Sequence, residues 1–439
     1  MSSVKTNTKK VPAIIRNISS LLIMIMFFKI AGYFTIVDDR TITQILKVIL
    51  RIGMTIGILY TYHKIVSYGC VASFSYKNSF NIMLYAMYLF LGLASFLWST
   101  KPSYSSLQWL MTFESFVFVF LFIKVIILVN HYFPNYQVDL IKIFSWSIFF
   151  IQAILLIGSL IAPDVFYREM RGGEEIRFGG YLMNPNELGM LASIGAALAY
   201  LLFQSSKKKF WPIIILLTGV LTLALTTSRS SMIGFLLIMF ILIVKSDNKK
   251  LKLIMVVGIA LAVPFILQYV IFKEGGGVEE VMSMTGRIPF WTALLNEGII
   301  REPYLGFGFM RINYIDTFQG AHTYPGRMTH NTFMQVLMNL GFIGFFIAFW
   351  NLVLTIKNFF IERTHYYGDF FIALLIPVFI NSLTEFGIFG DANYAILFYQ
   401  FMMFLFVIKY HPKLSLAEKV KLKLLHKKYD AHEESKNQY

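Results

Sequence analysis

The chain has 439 residues, of which 57% are hydrophobic and 14% charged, with a formal charge of +15 at neutral pH. Soluble domains carry about 25% charged residues, so this composition excludes an ordinary water-soluble domain, and a basic balance without a folded basic domain argues against nucleic-acid binding. The single cysteine, Cys70, excludes an intrachain disulfide and a thiolate metal cluster.

Apolar runs of about 20 residues are long enough to cross a ~30 Å hydrocarbon core. Hydropathy predicts twelve spans, near 17–37, 42–62, 81–98, 107–130, 140–162, 185–204, 210–227, 231–245, 252–272, 331–356, 369–387 and 393–409, all within one membrane domain over 1–439. Lys5, Lys9, Lys10 and Arg16 precede the first run. That run is too long for a signal peptide, and no small-x-small site follows it, so it is read as a retained span. No internal repeat is visible, which weakens an inverted-repeat transporter reading.

Alternate connections are rich in lysine: Lys207, Lys208 and Lys209, then Lys249, Lys250 and Lys252, then Lys357 with Arg363. The tail 410–439 adds Lys413, Lys419, Lys421, Lys423, Lys427 and Lys428. The positive-inside rule puts these segments and both termini in the cytoplasm. The basic tail is expected to lie against anionic lipid.

The outward connections differ. They carry Arg40, Arg168, Arg171, Arg177, Arg229, Arg287, Arg301, Arg311 and Arg327, but only Lys101 and Lys273 as lysines. A guanidinium binds phosphate oxygens through a planar fork that lysine lacks, so the cluster points to a phosphorylated ligand reached from outside. The plainer reading has these arginines snorkelling to headgroups, or paired with Glu174, Glu175, Glu279 and Glu280.

Three outward segments carry the signals. The first, 163–189, ends in Arg177-Phe-Gly-Gly-Tyr-Leu-Met-Asn184-Pro185-Asn186-Glu187, where Asn-Pro-Asn is a helix start that presents N–H groups to an anion or simply caps the helix. The second, Thr226-Thr-Ser228-Arg229-Ser230-Ser231, is a turn so short that Arg229 lies at or below the bilayer surface. The third is the large extracytoplasmic loop 273–330 before the tenth span. Within it 286–298 reads as an amphipathic helix lying on the membrane, with Arg287 near its start. Only His322 and His330 fall outside among the histidines. His330 stands at a helix mouth beside Asn331, where a neutral imidazole can serve as general base or a cap. The ionisable residues Lys29, Glu114, Lys124 and Glu385 within the spans suggest no relay; Glu385 lies at the outward end of its helix. No outward Asp-x-Asp motif appears, so neither a metal nor a cofactor is expected.

The order Arg177-x-Gly179, Asn184-Pro-Asn186, Ser228-Arg229-Ser230, Gly286-Arg287-Ile-Pro-Phe-Trp291, Pro303-x-x-Gly306-x-Gly308 and His330-Asn331-Thr…Gly341-x-x-Gly344 resembles the superfamily of O-antigen ligases and Wzy-type polysaccharide polymerases. The motifs cover about 175–345, and the topology covers the whole chain. The resemblance implies a GT-C-like, all-α polytopic membrane glycosyltransferase in a bacterial inner membrane. Its donor would be a glycan on undecaprenyl diphosphate and its acceptor a second glycan, with a chain-length regulator or flippase as companion. It implies that Arg229 and Arg287, with Arg177 as a third, hold the diphosphate, that His330 deprotonates the acceptor hydroxyl, and that Glu385 is a further catalytic position. Asn186, His322, Arg327 and Asn331 are secondary candidates. The spacing from Arg287 to Gly298 favours a polymerase. A ligase acting on lipid A-core is the alternative within the family, and a lipid-linked oligosaccharide flippase is the non-enzyme alternative.

Overall fold

The computed structural model describes residues 12–35, 39–70, 73–170, 175–247, 249–250, 252–253, 257–258, 287–309, 329–362, 365–385 and 387–410. Helices follow the expected spans: α1 (Ile18–Ala31), α2 (Arg40–Ser67), α3 (Phe80–Ala94), α4 (Pro102–Tyr132), α5 (Leu140–Ile161), α6 (Pro185–Ser205), α7 (Phe210–Thr226) and α8 (Arg229–Lys245). After the short α9 (Arg287–Ala293) come α10 (Thr332–Glu362), α11 (His365–Thr384) and α12 (Tyr394–Leu405). Seven described helices are long and apolar enough to cross a membrane, and α1, α7 and α12 are shorter apolar helices. The span expected at 252–272 lies outside the described residues except for 252–253 and 257–258, as do most of the large loop and the basic tail beyond Tyr410.

Capping explains several of the helix starts. Asp39, Asp139, Asn184 and Asn393 each accept a hydrogen bond from a backbone N–H of the first turn of α2, α5, α6 and α12. Pro102 and Pro185 occupy first-turn positions whose N–H needs no helical partner. The first span stops at Ala31 rather than running to 37. The chain turns there, and Thr35 N–H donates to Leu182 O at 2.8 Å, tying this connection to the one before α6.

The core lies around α6 and α12. Every residue of α12 is buried, and the stretch Leu188–Leu202 of α6 is buried throughout. Gly189, Ser193, Gly195, Ala196, Ala197 and Ala199 leave α6 narrow enough for α5, α7, α8 and α11 to pack on it. Small residues serve this purpose in membrane bundles, where close backbone approach replaces hydrophobic driving force. On the other flank α2 packs on α4, α3 on α10, and α12 on α4.

Two short antiparallel pairs depart from the all-helical expectation. Strands β1 (Phe74–Tyr76) and β4 (Ile408–Tyr410) close the lysine-bearing end, and β2 (Tyr167–Met170) pairs with β3 (Glu175–Phe178) at the arginine-bearing end.

The expected tenth span also contains a break. Helix α10 is interrupted at Gly341 (φ 61°, ψ −163°), and the chain from Pro303 to Gly308 docks into the gap. Phe342 N–H donates to Pro303 O and Ile343 N–H to Tyr304 O, while Phe307 and Gly308 N–H donate to Met338 and Asn339 O. The groups freed by the break thus find partners, as irregular backbone at membrane depth requires. A Cβ on Gly341 would overlap the Tyr304 backbone, and one on Gly306 would come within 2.6 Å of the Asn339–Leu340 backbone. These contacts account for Gly306 and Gly341, while a Cβ on Gly308 would meet Ser99 and one on Gly344 would meet Leu340. Gly341→Ala is expected to cost about 1–3 kcal/mol in backbone conformation alone, with the clash added. A lowered thermal midpoint in detergent, against an unchanged midpoint for the exposed Ile343→Ala, checks this.

Candidate active site

Glu385, the residue that follows α11, is the centre of the arginine-bearing end. It is 4% exposed. Its Oε1 accepts from Arg287 Nη2 at 2.7 Å and from Asn186 Nδ2 at 2.8 Å. Its Oε2 lies 2.8 Å from His330 Nδ1. Burial alone would raise this carboxyl. The hydrogen bond and charge of His330, followed by the Arg287 guanidinium, outweigh burial and hold it below its ordinary value of 4.5. Glu385 is therefore ionised at neutral pH. In the tautomer with its proton on Nδ1, His330 would donate to this carboxylate and leave Nε2 with its lone pair.

His330 is fixed on several sides. It has φ +47°, in the left-handed region that only a few non-glycine residues occupy, and it directly precedes the cap of α10. Asn331 Oδ1 accepts from Phe333 and Met334 N–H at 2.9 and 3.0 Å, and its Nδ2 donates to Leu383 O at 3.1 Å. Asn331 thus starts α10 and ties it to the end of α11. Trp291 Nε1 donates to Thr329 O at 2.6 Å, so α9 braces the residue before His330.

Arg287 opens α9, which continues as a π turn over Leu294–Ile299. This is the helix expected at 286–298. Phe290 and Leu294 anchor it against Phe307 and Met338. The Arg287 guanidinium also donates from Nη1 to Thr384 O. Its Nε–H is buried without a hydrogen-bond partner among the described residues.

Arg177, on β3, stands one step further out. Its Nε donates to Thr226 O at 2.9 Å and its Nη2 to Asn186 Oδ1 at 2.7 Å. Asn186 therefore relays between Arg177 and Glu385. The Asn-Pro-Asn motif does two jobs: Asn184 caps α6, and Asn186 enters the cluster.

Arg229 is the half-buried first residue of α8, on a turn where Thr227 has φ +48°. Ser231 Oγ donates to Asn186 O at 3.2 Å, and Ser230 Oγ to Asn381 Oδ1, one turn before Glu385, at 3.4 Å. Gly189 permits this approach, since a Cβ there would meet Thr226, Ser228 and Ser231 at 2.9 Å. The turn bearing Arg229 is thus packed between Asn186 and the last turn of α11.

Arg168 and Arg301, also expected at this face, are exposed and lie over the rings of Tyr181 and Phe307. His322 and Arg327 lie outside the described residues, as do Arg171 and Arg311. Glu385, expected as a further catalytic position at the outward end of its helix, is buried behind His330 and Arg287, where it can position both. Among the charges within the spans, Lys29 pairs with Glu114, and Arg51 Nη2 lies 3.4 Å from the same carboxylate. These three residues sit on three helices, and chain spacing carries no signal of their contact.

No curated protein sequence matches the chain. A family model does match: residues 213–349 fit the family described as O-antigen ligase. Arg229, Arg287 and His330 fall inside the matched region, whereas Arg177, Asn186 and Glu385 reach the cluster from outside it. The motif order and the family match point the same way, and over residues 213–349 this multi-pass membrane chain is similar to the O-antigen ligase family.

Proposed function

We propose that the protein is a polysaccharide polymerase. It transfers a glycan from a polyprenyl diphosphate carrier to a hydroxyl of a second, carrier-linked glycan at the outer face of the cytoplasmic membrane. The observation that carries the reading is the Arg287–Glu385–His330 constellation. A buried carboxylate orients an imidazole as a base, beside a guanidinium whose Nε–H is unmatched among the described residues. The acceptor hydroxyl gives its proton to His330 Nε2 as its oxygen attacks the anomeric carbon. The new C–O bond forms opposite the breaking sugar–phosphate bond, and the electron pair of that bond leaves with the diphosphate. Inversion follows from attack opposite the leaving group. Arg287 and Arg229 stabilise the departing charge, and fixed guanidinium groups achieve this without a metal ion. Arg177, whose Nε and Nη2 donate to Thr226 and Asn186, holds Asn186 in place.

A second reading has direct support in the family description, O-antigen ligase. The same chemistry would then deliver finished polymer to lipid A-core. Gel analysis of glycan after gene deletion separates the two. Loss of long chains, with one repeat still attached to its acceptor, marks a polymerase. Loss of all attached glycan, with polymer left on the carrier, marks a ligase.

Arg287→Ala is expected to lower the transfer rate by about 10²–10³-fold, the usual cost of removing one donor from a developing oxyanion. Arg287→Lys should recover little, because an ammonium cannot bridge Glu385, Thr384 O and a phosphate oxygen as the planar fork does. Rates measured on purified protein with the carrier-linked glycan check both. Wild-type rates in the two variants would remove Arg287 from the site.

A further inference from the structure

A second polar feature lies on the other side of the Asn184–Glu187 helix start. It is a cavity of about 240 Å³ lined by the segment after α1, by α2 and α4, by the segment before α6 with the first turn of α6, and by the segment before α12. At roughly 30 Å³ per water this is room for about eight waters, the scale of one sugar residue. Its walls combine amides (Gln44, Gln108, Asn184), carboxylates (Glu187, Asp391), cations (Lys47, Arg51) and tyrosines (Tyr33, Tyr104, Tyr181). Packing alone gives no reason for such a mixture between membrane helices.

Arg51 marks the cavity as a built site. It is 0% exposed. Its guanidinium stacks on Tyr33 at 4.1 Å from the ring centre, and Nη2 donates to Met111 O at 2.5 Å. Its Nε–H and Nη1–H have no hydrogen-bond partner among the described residues. Buried guanidinium donors are costly to leave unmatched, and a polar ligand in the cavity is the group that would match them. The fold also makes room for this side chain, since a Cβ on Gly32 would come within 2.6 Å of Arg51 Cγ.

The cavity shares a wall with the His330 site. Asn186 bonds Glu385 on one side, and the adjacent Glu187 lines the cavity on the other. Asp391 of the cavity follows Glu385 by six residues in the same connection. We propose that this cavity is a saccharide subsite that seats one sugar residue of the glycan substrate. Glu187 and Asp391 accept from its hydroxyls, and Arg51, Lys47, Gln44 and Gln108 donate to them. The proposal rests on the glycan-transfer reading above. The sugar belongs either to the donor or to the acceptor, and the same chemistry recognises both.

The test separates the subsite from the transfer chemistry by measuring binding. The full-length His330→Ala protein in nanodiscs is titrated calorimetrically with one-repeat oligosaccharide cleaved from the glycan that the wild-type protein transfers. Glycan-free undecaprenyl diphosphate is titrated in parallel. Adding Lys47→Ala or Gln44→Ala, neither of which belongs to the Lys29–Glu114–Arg51 group, is expected to weaken oligosaccharide binding about tenfold and leave the glycan-free carrier lipid unaffected. Arg51→Lys keeps the charge and should still weaken it. In otherwise wild-type protein, a rise in KM for the acceptor alone assigns the sugar to the acceptor, and a rise for the donor alone assigns it to the donor. Oligosaccharide affinity unchanged in all three variants overturns the subsite and leaves the transfer reading standing. Full transfer by His330→Ala protein overturns the transfer reading, whatever the cavity binds.

Discussion

Replacing His330 with alanine is expected to reduce glycan transfer by about 10²–10⁴-fold, the usual contribution of a positioned general base. Nδ1 is held 2.8 Å from a buried carboxylate, so the neutral ring presents Nε2 as its base. The residue also adopts a left-handed backbone conformation, and its neighbours on either side are tied down by Trp291 and by Leu383. A residue held in that way has one orientation available, which is what base catalysis needs. Structural loss would look different from loss of the base. With His330→Ala, Asn331 still caps α10 and Arg287 still pairs with Glu385, so the protein should still fold at normal level, with a thermal midpoint lowered only by the lost His330–Glu385 bond. Wild-type amounts of long-chain glycan in cells carrying this variant would remove His330 from the mechanism.

The spans that fall on described helices were legible because they are long apolar runs, and a membrane permits little backbone other than helix within such a run. The caps were legible too, since Asn184 and Pro185 act through the local chain. The break at Gly341 was not, because the residues on both sides of it are equally apolar, and the segment that fills the gap lies more than thirty residues earlier. The hairpin of β2 and β3 is too short to leave an alternating pattern that stands out from a loop. At the site, Arg229 could be named from its depth in the membrane, His330 and Arg287 from their outward placement, and Glu385 from the resemblance and the outward end of its helix. The contacts of Glu385 could not be read. It meets Asn186, Arg287 and His330 from 199, 98 and 55 residues away, and chain order carries no sign of those pairings. The buried group of Lys29, Arg51 and Glu114 was hidden in the same way.

Glu385→Gln is expected to be as damaging to transfer as the loss of His330, about 10³–10⁴-fold, although it removes no atom that would touch the substrate. A carboxylate offers acceptors at both oxygens, and all are needed here: Oε1 takes two donors, from Arg287 and Asn186, while Oε2 takes His330 Nδ1–H. A glutamine has one oxygen and one NH₂ group. If the oxygen faces Arg287 and Asn186, the NH₂ faces Nδ1, which must then accept, and the proton moves to Nε2, where it blocks the base. Replacing an orienting carboxylate by its amide has this effect on a catalytic imidazole in general. If the amide turns the other way, its NH₂ meets two donors in a buried site, and the Arg287 charge loses its partner. Breaking a buried pair in that way costs about 3–5 kcal/mol. The two orientations are therefore separable by measurement. The first gives an inactive protein of nearly normal thermal midpoint, and the second an inactive protein that melts early. The pH dependence has a definite sign as well. The carboxyl is depressed below its ordinary 4.5 by His330 and Arg287 despite its burial. Its contribution to stability is thus present above pH 4.5 and is lost as pH falls through the lower folded value. The wild-type protein should show that acid loss of stability, Glu385→Gln should lack it, and an unchanged acid limb in the variant would mean that Glu385 does not carry the charge that orders the site.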